Sequence, residues 1–102
     1  MSDEIVFGGV YEPSAVLDPR SAWLVVSSPA IHTYSSKVVV AFVDQGKLLE
    51  PDLISEPIAG CGTADLFELL TVRKAALGRR IGALHPGQRD SVTTKIRQLF
   101  GP

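Results

Sequence analysis

Residues 77–101 read LGRRIGALHPGQRDSVTTKIRQLFG, and this stretch decides the fold. It joins a short apolar strand to a helix-start signal and an amphipathic helix. Pro86 stands where a first helical residue belongs, because its missing N–H would have no partner there anyway. His85 precedes it as a weak cap. Val92, Ile96, Leu99 and Phe100 recur at spacings of four, three and one, which makes one apolar stripe. Arg89, Asp90, Lys95 and Arg97 lie off that stripe. Gly101 is placed to stop the helix, since glycine takes the left-handed conformation without a Cβ clash. Such a helix needs an apolar surface to cover, and the rest of the chain reads as the sheet that provides it.

Upstream, Ile5 to Tyr11 is short and apolar, with Gly8-Gly9 marking a bulge or a close backbone approach. Glu12-Pro13-Ser14 is expected to break the run, and Ala15 to Leu17 is a continuation or a return strand. Asp18-Pro19-Arg20-Ser21 reads as a turn. Ala22 to Ser27 is a strand with few polar positions, expected to be buried on both faces. Ser28 to Ser36 reads as a polar loop, and Lys37 to Val43 is the strongest strand signal. After a turn at Asp44-Gln45-Gly46-Lys47, Leu48 to Ile54 reads as an edge strand around Pro51, and Glu56 to Gly62 as a loop. Thr63 to Val72 fits helix or strand by period; its place between strand-rich segments favours strand. Arg73 to Ala76 is one helical turn, and Leu77 to Leu84 contains the last strand. The expected fold is mainly β, a small bent antiparallel sheet closed by the C-terminal helix.

At 102 residues, 45% of them hydrophobic, the chain is expected to be one domain. It has no run of about 18 apolar residues, so no membrane span is expected. One cysteine, Cys61, rules out an intrachain disulfide, and with no signal-peptide pattern at the N-terminus a cytoplasmic setting is expected. Two distant histidines and one cysteine give no metal-ligand spacing, and no cofactor is expected. The net charge of −1 hides an asymmetry: residues 1–68 carry −7 and residues 69–102 carry +6. Either the basic third meets a polyanion or an acidic protein segment, or it folds back over an acidic sheet.

The order strand, one turn, strand, Pro-started helix resembles the toxins of the MazF/PemK family. Their C-termini typically read T-V-x-x-x-x-L-G-x-x-I-G-x-L-x-P, followed by an amphipathic helix ending in L-x-G. Thr71, Val72, Leu77, Gly78, Ile81, Gly82, Leu84 and Pro86 match, then Val92, Ile96, Leu99 and Gly101. Gly8-Gly9-Val10-Tyr11, Trp23 to Ser27 and Val38 to Ala41 resemble the family's first three strands. The resemblance implies an SH3-like barrel of the CcdB/PemK/MazF type and a homodimer. It also implies a type II toxin–antitoxin pair, with a cognate antitoxin as partner. The implied activity is sequence-specific, metal-independent cleavage of single-stranded RNA (mRNA, tRNA or rRNA). In that chemistry the ribose 2′-OH attacks the adjacent phosphate to leave a cyclic phosphate. It needs a base for the 2′ proton, an acid for the leaving oxygen and a cation for the phosphorus-centred charge.

The family places an arginine before a proline just ahead of the second strand. Ser21-Ala22 stands there, and Arg20 takes the role if the preceding loop differs by one residue; otherwise Arg20 is a solvated turn residue. Where the family has a phosphate-contacting threonine or serine after the third strand, this chain has Asp44, a candidate base or simply a turn former. Ahead of Thr71 the family's acidic position is filled by Phe67, and Glu68 or Asp65 stands in. His32, in the segment after the second strand, is a candidate proton shuttle or a solvated loop residue. Ser27, Ser28, Lys37 and Arg73 are the candidate RNA contacts. The departures open a second reading, a CcdB-like toxin binding DNA gyrase. Arg97 to Gly101 resembles that family's tail without its tryptophan. A third reading is a member that binds antitoxin and has lost activity.

Overall fold

The computed structural model describes residues 5–15, 21–46 and 50–101. Six strands form one antiparallel sheet: β1 (Gly9–Pro13), β2 (Ser21–Val25), β3 (Lys37–Asp44), β4 (Ser55–Ile58), β5 (Gly62–Arg73) and β6 (Leu77–Ala83). Their order is β4-β5-β3-β2-β1-β6. A short helix, α1 (Pro29–Tyr34), follows β2; a single 3-10 turn at Lys74–Ala76 links β5 to β6; and α2 (Pro86–Leu99) follows β6. This is the mainly-β fold with a C-terminal helix that the sequence predicts.

Alternation along the strands builds two cores. Val10, Ala22, Leu24, Ala41, Val43, Ala64 and Leu66 face Leu84 and Val92, with Ile96 and Leu99 packed at the margin. On the opposite face Tyr11, Val25, Val38 and Val40 cluster with Trp23, Val72 and Leu77. The central β2 thus feeds both cores, through Ala22 and Leu24 on one face and Val25 on the other. Ser21 and Trp23 are only half-buried, so burial on both faces holds at its far end alone. Each fully buried Leu or Val contributes about 1.5–3 kcal/mol relative to exposure.

β5 carries the bend. Ala41 pairs with Leu69 while its neighbour Phe42 pairs with Asp65, so Leu66, Phe67 and Glu68 have no partners on β3. The Asp65 carboxylate accepts the Phe67 N–H at 2.9 Å and holds this bulge. A bulge of this kind bends its strand and increases the twist. Before it, β5 runs between β3 and β4; after it, β5 continues along β3 alone.

At α2, Pro86 is the first helical residue, and the cap is stronger than histidine suggests. His85 Nδ1 accepts the Gly87 N–H at 3.3 Å, and the Gln88 side chain accepts the His85 N–H at 3.1 Å. This reciprocal pair satisfies two donors that the first turn leaves open. The Gln88 amide also donates to Pro57 O and to Glu56, tying the helix start to β4. Glu56 is buried and also receives Ser91 Oγ at 2.9 Å and Lys95 Nζ at 3.0 Å. Burial pushes the Glu56 carboxyl up, but the bonds from Lys95, Gln88 and Ser91 outweigh it and hold the group below its ordinary value. The basic third thus does fold back over the acidic part, here through Lys95 on Glu56 and also through Arg79 on Glu12 at 3.4 Å.

Four local expectations change. Residues 29–34 are a helix and not a loop, because Pro29 opens it and buried His32 anchors it. β1 continues through Pro13, which sits at a register shift against Leu77 where a missing donor is tolerated. Leu48 and Leu49 lie outside the described residues, and 50–54 is not strand. The edge strand is Ser55–Ile58, read from sequence as loop. Asp52 accepts the Ile54 and Ser55 N–H groups and makes the turn that delays it. Phe100 leaves the apolar stripe and is 76% exposed. Its N–H closes a tight turn onto Arg97 O, which rotates it off the face that Val92, Ile96 and Leu99 share. Val16 and Leu17, like Asp18 to Arg20, lie outside the described residues.

Candidate functional site

The sheet has two ends, and the sequence-derived candidates divide between them. At one end β2 begins and β3 stops. Ser21 pairs directly with Asp44, and Asp44 with Thr63. Asp44 Oδ1 accepts the Gly46 N–H at 2.9 Å, so this carboxylate shapes its own turn. The Gln45 side chain donates to Ser21 O at 3.3 Å and ties that turn to the start of β2. Arg20 immediately precedes Ser21 in the chain and lies outside the described residues.

Next to this rung is a second one, Trp23 against Phe42, with Asp65 beyond Phe42. Directly paired residues share a face of the sheet. Trp23, Phe42 and Ser21 line a groove of about 320 Å³ with Pro13, Ser14, Ala15 and Ala76. Both aromatic side chains are only part-buried. The groove therefore offers two ring surfaces beside a hydroxyl and a carboxylate position. Part-exposed aromatic rings in a shallow groove suit unpaired bases, which stack on them whatever their identity. The sequence reading misses this rung. Its signal is present: Trp23 lies two residues into β2 and Phe42 two residues before the end of β3, so antiparallel pairing makes them opposites.

Glu68 lies in the three-residue bulge and is exposed, between the Leu69 and Asp65 rungs. The structure places it midway along the sheet and gives it no ion pair among the described residues.

The other end holds His32, Ser27, Ser28, Lys37 and Arg73. Lys37 stands seven residues before Asp44 on β3, roughly 23 Å away at about 3.3 Å per residue. His32 is buried and bonded through both ring nitrogens: Ser27 Oγ lies 2.7 Å from Nε2 and Ile5 O lies 3.3 Å from Nδ1. A carbonyl can only accept, so Nδ1 carries a hydrogen, and in the neutral ring Nε2 then accepts from the Ser27 hydroxyl. Ser27 Oγ in turn accepts the Val39 N–H at 3.0 Å. This directed chain fastens α1 and residue 5 to β3. Ser28 is exposed and lines a different groove, of about 350 Å³, with Phe7, Val26, Pro29, Thr93, Ile96 and Arg97. The structure thus brings Ser21, Asp44 and the aromatic rung together, and separates them from His32, Lys37 and Arg73.

No group of three or more metal-ligating side chains occurs among the described residues, and no helix there is long and apolar enough to cross a membrane. Cys61 is free and buried, and burial pushes its thiol up.

No protein-family model matches the chain, and no curated protein matches it. Solved structures do. An endoribonuclease from mycobacterial species superposes with a TM-score of 0.78 at 19% identity, covering 97% of this chain and 93% of that one. An endoribonuclease in complex with its cognate antitoxin, also mycobacterial, gives 0.75 at 20% identity, covering 98% and 96%. At these identities the likeness establishes the shared fold over essentially the whole length of both chains.

Proposed function

We propose that the chain is an endoribonuclease of the MazF/PemK type, the toxin of a toxin–antitoxin pair, cutting single-stranded RNA at the Ser21–Asp44 end of the sheet. The observation that carries this reading is the groove in which the Trp23–Phe42 rung adjoins the Ser21–Asp44 rung, with Arg20 next in sequence. The matching fold of two endoribonucleases supports it. Bases stack on Trp23 and Phe42, which sets the sugar–phosphate step over the Ser21–Asp44 rung. Asp44 then takes the 2′ proton, and Arg20 balances the charge that builds on the phosphate. Glu68, on the bulge outside the groove lining, is the candidate that protonates the leaving 5′ oxygen. The reaction uses no metal, and the side chains around the groove set the sequence preference.

The test is cleavage of end-labelled single-stranded RNA in excess EDTA. Arg20→Ala and Trp23→Ala are each expected to slow cleavage at least about tenfold, and the wild-type product should carry a cyclic phosphate. Wild-type protein that leaves RNA intact, or Arg20→Ala, Trp23→Ala and Glu68→Gln variants that all cut at the wild-type rate, would end the proposal. The gyrase-binding alternative gains no support from the comparisons.

The same reading includes a homodimer and a cognate antitoxin. Leu53, Ile54, Phe67 and Leu70 are exposed around the β5 bulge, where Ile54 O accepts the Leu66 N–H. Exposed apolar side chains gathered in one region mark interaction surfaces. Light scattering at high concentration is expected to give twice the 10.9 kDa chain mass; a monomer mass removes this part.

A further inference from the structure

The end of the sheet far from the groove carries an unbalanced cluster. Lys37 and Arg73 are direct partners across β3 and β5, and both are exposed. Like charges in that position destabilise a sheet. Neither side chain forms an ion pair among the described residues. The cause lies in the sequence: residues 19–43 contain no acid, residues 69–89 contain none either, and these two segments meet at this rung. Lys74 sits beside it, its ammonium bonded to His32 O and its N–H to Ser36 O, which pins the end of α1 to the end of β5. Tyr34 ends α1 three residues before Lys37 in sequence, between the two residues that Lys74 bonds, and it is 92% exposed.

We infer that Lys37 and Arg73, with the ring of Tyr34 beside them, form a second contact for single-stranded RNA, two phosphates on the cations and a base on the ring. The inference rests on the ribonuclease reading and extends it to RNA flanking the cut. Two adjacent cations and an unpacked aromatic ring are what backbone-tracking, sequence-tolerant binding uses. An acidic peptide segment fits less well, because it would pair with the cations but leave the exposed ring of Tyr34 without a stacking partner. Neither of the two grooves above, nor a third lined by Thr94, Arg97, Gln98 and Gly101, includes Lys37, Arg73 or Tyr34. Seven residues along β3 separate Lys37 from Asp44, an odd number, so Lys37 and Arg73 stand on the face opposite Phe42 and Asp44. A strand held at both places passes around the end of the sheet over more than roughly 23 Å.

The experiment is fluorescence anisotropy with a labelled 2′-O-methyl RNA of about 16 nucleotides, long enough for such a span and resistant to 2′-OH attack. Affinity is followed from low to moderate salt. The Lys37→Ala/Arg73→Ala variant should bind about tenfold more weakly at low salt, and its log–log salt slope should be shallower by about 1.4, for two lost single-strand phosphate contacts. Tyr34→Ala should lose about fivefold or more at an unchanged slope. All three positions are exposed, so no variant should melt below wild type, and the double variant, freed of the like-charge pair, should melt at or slightly above it. If the wild type cleaves RNA but the double variant keeps its slope, this inference fails and the ribonuclease reading stands. If the double variant instead loses binding to oligoglutamate with its RNA slope intact, the surface belongs to an acidic protein and the inference fails. Wild-type protein that neither binds nor cleaves RNA overturns both.

Discussion

Gly62→Ala is expected to cost about 4 kcal/mol or more and to lower the thermal midpoint by at least roughly 16 °C for a domain of this size. Two effects add. Gly62 has φ +125°, a conformation that side-chain-bearing residues rarely adopt. A Cβ there would also lie 2.1 Å from Asp44 O and 2.7 Å from the Gln45 Cα, both backbone atoms that cannot swing aside. Relief would require β3 and the start of β5 to part at the rung where Asp44 meets Thr63. Gly60→Ala is the control: φ is +79°, but nothing lies within 4 Å of the added carbon. It should cost only about 1–2 kcal/mol. Comparable midpoints for the two variants would show that the close approach of Asp44 to Gly62 is absent.

Lys95→Met is expected to cost about 3 kcal/mol, because it leaves the buried Glu56 carboxylate without its cation. The pH dependence carries the sign. In the wild type the Glu56 carboxyl is held below its ordinary value, so the pair stabilises the fold above the unfolded carboxyl range. That contribution is lost as pH falls through the folded, lower value. Without Lys95, burial still pushes the carboxyl up while the hydrogen bond and the charge that Lys95 set against it are gone, so the carboxyl moves up from its wild-type position. The variant then gains relative to wild type as acid protonates Glu56. Thermal midpoints from pH 7 down to about 3.5 should therefore converge below the ordinary carboxyl pKa of about 4.3. Glu56→Met combined with Lys95→Met should recover part of the loss at neutral pH, since no uncompensated charge remains. Parallel midpoint curves for Lys95→Met and wild type would remove the pair from the account of stability.

Sequence reading succeeds where local chemistry and tertiary demand agree. Pro86, the Gln88 that completes the cap, and the Val92–Ile96–Leu99 spacing each specify α2 locally, and the sheet asks for nothing different. Lys37 to Asp44 is apolar enough to be a strand in any setting. Thr63 to Val72 is ambiguous by period because the bulge at residues 66–68 interrupts its alternation. β4 is hidden for a related reason: Ser55 to Ile58 contains Glu56 and Pro57, which argue for loop until Lys95, Gln88 and Ser91 surround the carboxylate. α1 is obscured by its polar composition, and only the bonds of His32 to Ser27 and Ile5 show why it is ordered. For the site, residue types point to Arg20 and Asp44, and the fold places Ser21 and Asp44 on one rung. Residue types alone do not show that His32, Lys37 and Arg73 belong to the other end, because distance along a strand is invisible until register is known. The Trp23–Phe42 rung is easily overlooked because each residue, taken singly, looks like core.

The pairing of β1 with β6 joins residues more than sixty positions apart: Pro13 meets Leu77, and Gly9 meets Ala83. Contacts this distant in sequence slow folding, because a long loop must close before they form. Pro13 and Ala76, which share the aromatic groove, come together only through this closure. During synthesis the first three strands are therefore made well before the wall that completes the groove, and a nascent chain cannot present a finished groove until most of its length has been translated.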